Sequence, residues 1–151
     1  DTHPSPARVY AAIGFNPTKR YAVSVEERRQ ILAAACEADA TLARVSVVVV
    51  PQYPWRFALR HGVTFLYRGV RSWKKDGTAE TLLALLNAVG PLLLEARLPP
   101  ATRYIEAVPQ LSHVSSTLVR QRAAAGQSLE GLVPAAVEQR IAEVYDNATL
   151  R

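Results

Sequence analysis

Three short polar stretches hold the residues of this chain whose types and spacing could do chemistry: "NPTKR" at 16–20, "YRGVR" at 67–71 and "SSTLVR" at 115–120. Each brings Lys or Arg together with hydroxyls or a glycine, and none contains a carboxylate. Side chains of that kind position and neutralise an anion, phosphate above all. The third stretch stands at the entrance of a run, "LVRQRAAAG", that reads as a helix. A helix begins with about four N–H groups that have no partner inside it, and one Ser or Thr oxygen satisfies one of them. Ser115, Ser116 and Thr117 exceed that need. Three hydroxyls, the free N–H groups and the positive end of the helix dipole also make a phosphate site, with Arg120 one turn further in. On this segment alone, ordinary capping and anion binding both stay open.

The overall balance leans the same way. The 151 residues carry a net charge of +5, and a basic surface attracts nucleic acid, acidic membranes or small phosphorylated ligands. Lys and Arg recur singly or in pairs at the ends of apolar runs, which suits a small anion better than a groove for a polymer; a merely solvated basic surface is the other reading. Hydrophobic residues at 49% and charged residues at 21% predict one ordered domain. No apolar run approaches the ~18 residues that span a bilayer, and no signal-peptide pattern stands at the front. The one cysteine, Cys36, reads as a small core residue in a reducing compartment, so the expected location is the cytoplasm. No Cys/His set has metal-ligand spacing. The glycine-rich fingerprints of dinucleotide enzymes and of common ATPases are both missing.

These stretches need elements to hold them. "RVYAAIGF" (8–15), "RVSVVVV" (44–50), "VTFLYRG" (63–69) and "TRYIEAV" (102–108) read as strands. "SVEERRQILAAACEADA" (24–40) opens with Ser24 and Glu27 in capping-box spacing and puts Ile31, Leu32, Ala35 and Cys36 on one face. "PWRFALRHG" (54–62) predicts a short helix stopped by Gly62, and "GTAETLLALLNAVG" (77–90) a helix ending before Pro91. "LEARLPPATR" (94–103) reads as a loop. "PAAVEQRIAEVYDNA" (134–148) predicts a closing helix with Val137, Ile141, Val144 and Tyr145 on its inner face. Strands alternating with helices imply an α/β fold, a parallel sheet covered on both faces. Ligands bind such sheets at the carboxyl ends of the strands, where the three polar stretches fall.

In that order and spacing the chain resembles the phosphopantetheine adenylyltransferases, within the nucleotidyltransferase superfamily that also holds the cytidylyltransferases. The resemblance runs from about Arg8 to Ile141. "NPTKRYAVSVEERRQIL" is similar to the family's N-P-[ST]-K-K…S/T-x-E-E-R segment, "YRGVR" to its R-G-L-R, and "ETLLALLN" to E-x-x-L-A-x-x-N. "PQLSHVSSTLVR" resembles its serine loop, offset by one residue, and "GLVPAAVEQRI" its terminal segment. The resemblance implies a Rossmann-like fold and transfer of the adenylyl group of ATP to 4′-phosphopantetheine, giving dephospho-CoA and pyrophosphate, with Mg²⁺ held through the ATP phosphates. It implies that Lys19 meets the acceptor phosphate and the α-phosphate, and that Arg68 grips the 4′-phosphate. Gly69 and Arg71 would border the nucleotide, Glu80 would lie near it, and Asn87 would line the pantetheine side. Ser115, Ser116, Thr117 and Arg120 would cradle the β- and γ-phosphates. A homo-oligomer is possible on the same ground, with no nucleic acid or membrane partner.

The chain also departs from the pattern. A T-x-G-H motif after a first strand is not found, and the fold is entered at what looks like the family's second strand. A first strand and catalytic loop are therefore expected upstream, with residues 1–7 a flexible lead-in and His3 not assigned. "PQYPW" (51–55), "SWKKDGTA" (72–79) and Ala88 alter the wall that would hold the pantetheine arm. Trp55 and Trp73 read as packing or lid residues, His61 as the end of a helix and His113 as a variable loop position. Two alternatives to the implied reaction stay open: a nucleotidyltransferase with a different phosphorylated acceptor, and a non-catalytic nucleotide-binding relative.

Overall fold

The computed structural model describes residues 7–14, 21–51, 53–70 and 73–149. Helices and strands alternate: β1 (Val9–Gly14), α1 (Val25–Glu37), β2 (Val45–Val50), α2 (Pro54–His61), β3 (Phe65–Val70), α3 (Trp73–Glu95), β4 (Ala101–Glu106), α4 (Ser116–Ala124) and α5 (Ala135–Thr149). β1 pairs with β2 in parallel from Val9 opposite Val45 to Gly14 opposite Val50. β3 pairs with β4 in parallel from Phe65 opposite Ala101 to Val70 opposite Glu106. Parallel partners cannot be joined by a tight turn, and here α1 and α3 make the two crossovers. The expected parallel sheet is thus present as two parallel pairs, β1–β2 and β3–β4. They fall in two compact units, residues 1–51 with 116–151, and residues 52–115.

In the first unit the core is made by Ala123, Leu129, Val137 and Ile141, with Ile31, Ala34 and Ala35 of α1 packed against it. Of the inner face read from the sequence of α5, Val137, Ile141 and Tyr145 join this core and Val144 does not; each large apolar side chain fully buried there contributes about 1.5–3 kcal/mol. Cys36 is buried and free, as its alanine-rich setting predicts. Ser24 caps α1, its Oγ accepting from the Glu27 N–H at 3.0 Å. The reciprocal half of a capping box would turn the Glu27 carboxylate back to the cap. Instead it accepts from Arg140 Nε of α5 at 2.8 Å, while Arg140 Nη2 donates to Gln30. A local cap has given way to a tie between helices.

In the second unit Trp55 and Ala58 of α2 are buried completely. Pro54 occupies the first turn of α2, and Gly62, at φ 64°, ends it in the left-handed conformation, as expected. The helix predicted to stop at Gly90 does not stop. α3 continues through Pro91 to Glu95, taking in part of the predicted loop. Pro91 cannot donate to the Asn87 carbonyl one turn back, yet Pro91 is fully buried and Gly90 lies against the edge of the Trp55 indole. The two breakers serve a close helix–helix seam. The true end is at Ala96, left-handed at φ 49°, with the Arg97 N–H bonded to the Pro91 carbonyl at 3.1 Å.

A Cβ at Gly90 would stand 2.7 Å from Trp55 Nε1 and 2.8 Å from its Cε2. Alanine gains about 1 kcal/mol of helix propensity over glycine, whereas overpacking costs about 1–3 kcal/mol, and a fully buried indole has little room to yield. Gly90→Ala is expected to lower the unfolding free energy measured in urea by about 1 kcal/mol. Unchanged or higher stability would show that Trp55 can move aside.

Candidate functional site

The serine stretch lies where a helix starts. α4 begins at Ser116, so Ser116 and Thr117 occupy its first turn, with no acidic residue there, and Ser115 directly precedes it. The approach is fixed by a short 3₁₀ turn at Pro109–Leu111, which Ser112 braces by donating its hydroxyl to the Pro109 carbonyl at 2.8 Å. Arg120, one turn in, donates from Nη2 to Thr117 Oγ1 at 3.2 Å. Both residues are exposed. The result is a guanidinium held over the helix entrance by a hydroxyl, facing solvent, next to the positive end of a helix dipole. This arrangement can accept a phosphate.

Arg68 and Gly69 lie within the third strand, as the reading of 63–69 expects. The strand ends at Val70, one residue beyond that reading, with Arg68 opposite Tyr104 and Gly69 opposite Ile105. Successive side chains of a strand point to opposite faces. Arg68 therefore shares a face with Leu66, while Gly69 falls with the exposed Phe65 and Tyr67. Pairing with β4 carries the strand past the glycine. A Cβ at Gly69 would meet nothing within 4 Å, so no contact with the rest of the chain demands glycine there.

Asn87 of α3 is 2% exposed. Its Oδ1 is covered from solvent and has no hydrogen-bond partner. A buried acceptor without a donor costs about 1–3 kcal/mol, so Asn87 holds an unmet need for a donor. Its spacing from Gly90 and Pro91 places it on the buried side of α3, opposite the exposed stripe of Leu85, Val89, Leu92 and Leu93. The sequence alone does not reveal that depth, because α3 is apolar on nearly every side. Glu80 stands on α3. Lys19, Arg71 and His3 lie outside the described residues.

The aromatic and imidazole expectations divide in a similar way. Trp55 packs the α2–α3 seam rather than facing a ligand, and its indole also lies beneath the Arg56 guanidinium at 5.1 Å. His61 is the last residue of α2, its ring stacked on Phe57 at 4.2 Å, and His113 is exposed ahead of α4. A cavity of about 180 Å³ lies between α1 and β2, lined by Arg29, Cys36, Glu37, Leu42 and Val45; none of the candidate residues borders it. Among the described residues no group of three His, Cys, Asp or Glu side chains could hold a metal ion, and no helix is long and apolar enough to cross a membrane.

No family model matches the chain. Individual relatives do. Over 134 residues it is 36% identical to the phosphopantetheine adenylyltransferase of Mesorhizobium japonicum, covering 85% of this chain and 75% of that protein. The enzyme of the same name from Bradyrhizobium diazoefficiens is 34% identical over 133 residues, 84% of this chain and 74% of its own. That of Brucella ovis is 33% identical over 135 residues, 86% and 76% respectively.

The exposed Thr117–Arg120 pair separates the two readings of the hydroxyl cluster. Thr117→Val is expected to weaken ATP binding, followed by calorimetry, about three- to tenfold, the loss of one hydrogen bond of about 0.5–1.5 kcal/mol. Stability in urea should stay within about 0.5 kcal/mol of wild type, as for most surface changes. Lost stability with unchanged ATP affinity would make the hydroxyl a cap and nothing more.

Proposed function

This chain belongs to the phosphopantetheine adenylyltransferase family, and we propose that it transfers the adenylyl group of ATP to 4′-phosphopantetheine. The observation that carries this reading is similarity of one third or more, sustained over about 85% of the chain, to relatives of that name. An oxygen of the acceptor's 4′-phosphate attacks the α-phosphorus of ATP. The new P–O bond gives dephospho-CoA, and the bond to the β-phosphate breaks to release pyrophosphate. No bond to the protein is needed, so the work is positioning and charge neutralisation around crowded phosphates.

In this proposal Lys19 follows the charge as it moves from acceptor to α-phosphate, for which a compact ammonium on a flexible stem is suited. Arg68 grips the 4′-phosphate. Gly69, Arg71 and Glu80 border the nucleotide, with Gly69 lending backbone access, in line with the open space around its Cβ position. Ser115, Ser116, Thr117 and Arg120 hold the β- and γ-phosphates, a role supported by the Arg120–Thr117 bond at the start of α4. Asn87 offers its unpartnered oxygen to a donor of the acceptor's pantetheine arm. Mg²⁺ comes with ATP, bound by phosphate oxygens. The reaction belongs in the cytoplasm.

One observation favours a second reading, a different phosphorylated acceptor. Asn87 is almost wholly covered beside Gly90, which lies against Trp55, so a long arm reaches it only if the α2–α3 seam opens. A shorter acceptor would not require that opening.

The test is pyrophosphate release by the full-length protein from ATP and 4′-phosphopantetheine, with CTP and other phosphorylated acceptors alongside. Release with the named pair and not with CTP is the expected result; release only with another acceptor would replace the assignment. Lys19→Ala should lower turnover by about a hundredfold or more while the protein stays folded by circular dichroism. Unchanged turnover would remove Lys19 from the mechanism.

A further inference from the structure

We propose that Arg28, seated on Tyr21, is a further phosphate-binding residue, gripping a phosphate of one of the substrates through its Nε–Nη2 edge; this rests on the nucleotidyl-transfer reading above. The start of α1 carries two carboxylates and two guanidiniums in succession, Glu26, Glu27, Arg28 and Arg29. Glu26 is taken by Arg29, through Nε at 3.0 Å and Nη2 at 2.7 Å. Glu27 is taken by Arg140 of α5 at 2.8 Å. Arg28 stands between two acids that both face other arginines.

What Arg28 has instead is an aromatic face. Its Cζ lies 4.3 Å from the centre of the Tyr21 ring. That contact attracts the charge but offers no lone pair to the N–H groups in the guanidinium plane. Nε and Nη2 are covered from solvent and have no acceptor. These two nitrogens form one edge of the fork, and Arg29 uses the same edge on its carboxylate. Arg140 likewise spends this edge, on Glu27 and Gln30. In Arg28 alone of the three is the edge left empty. Covered donors on a cation are costly to leave unmet, and the fork's geometry fits two oxygens of one phosphate.

The position also suits a ligand. Tyr21 directly follows the "NPTKR" stretch in the chain and is 39% exposed, while Arg28 is half-buried. The edge is covered as it stands, so the terminal torsions of Arg28 must turn for it to meet an incoming oxyanion. The arginine also occupies the last position of the S-x-E-E-R segment, from Ser24 to Arg28.

The experiment titrates wild type, Arg28→Gln and Arg28→Lys with pyrophosphate and, separately, with 4′-phosphopantetheine by calorimetry, and unfolds each ligand-free protein in urea. Arg28→Gln is expected to weaken one of the two ligands about ten- to a hundredfold, the range for charge-assisted hydrogen bonds. Which ligand is lost tells whether the edge serves the leaving phosphates or the acceptor. Arg28→Lys, which keeps the charge and loses the fork, should fall between, and it carries the test if the glutamine variant does not fold. Ligand-free stability should hold or rise, because the guanidinium removed had no acceptor. Wild-type affinity for both ligands in the variants, with or without lower stability, would overturn the proposal and leave Arg28 a packing residue. Adenylyl transfer is measured on the same wild-type protein. Phosphate binding that depends on Arg28 without any dephospho-CoA formed would sink the proposed reaction and leave this inference standing.

Discussion

Parallel pairing is the constraint on which the rest depends. β1 and β2, and again β3 and β4, run side by side for six residues each. Such a pair must be joined over one face by a long connection. That requirement creates α1 and α3, and each helix carries candidate residues where the crossover puts them. The first turns of α1 present Ser24 through Arg29 just after the first polar stretch. The seam of α3 against α2 buries Asn87 beside the glycine that lets Trp55 in. The register of β3 against β4 decides that Arg68 and Gly69 face opposite ways. A loop would have left both free to turn.

The second organising feature is how arginines are spent. Arg29 and Arg140 satisfy the carboxylates of α1. The Arg29 bond holds the Glu26 carboxyl below its usual range, while the Glu27 bond raises the already high pKa of Arg140. Exposed pairs of this kind add little to stability. Their larger consequence is to leave other guanidiniums without an acid. Arg120 rests on a threonine hydroxyl and Arg28 on a tyrosine ring. Neutral partners of that sort hold a cation in place without cancelling its charge, which is the condition an anionic substrate needs.

Much of this was legible in the residues. The β-branched run at 45–50, the Ser24 cap, the Gly62 stop and the inner face of α5 follow from local chemistry, and the structure carries each of them. So does the reading of Trp55 as a packing residue. The errors have a common cause, partners remote in sequence. Gly90 and Pro91 look like a helix terminus until Trp55 is seen against them. Glu27 looks like half of a capping box, yet its partner Arg140 stands 113 residues away. The hydroxyl cluster was legible as a helix entrance, and its link to Arg120 follows from helical spacing. The family pattern carried the assignments for Lys19 and Arg71, which lie outside the described residues.

In the proposed reaction the acceptor's own phosphate displaces pyrophosphate directly at the α-phosphorus of ATP. The most direct test uses 4′-phosphopantetheine labelled with ¹⁸O in the phosphate, with products read by ³¹P NMR and mass spectrometry. The account predicts label in dephospho-CoA, one labelled oxygen in the new P–O–P bridge, and none in pyrophosphate. Label-free AMP accumulating in place of dephospho-CoA, or ATP left unconsumed by the full-length protein, would contradict it.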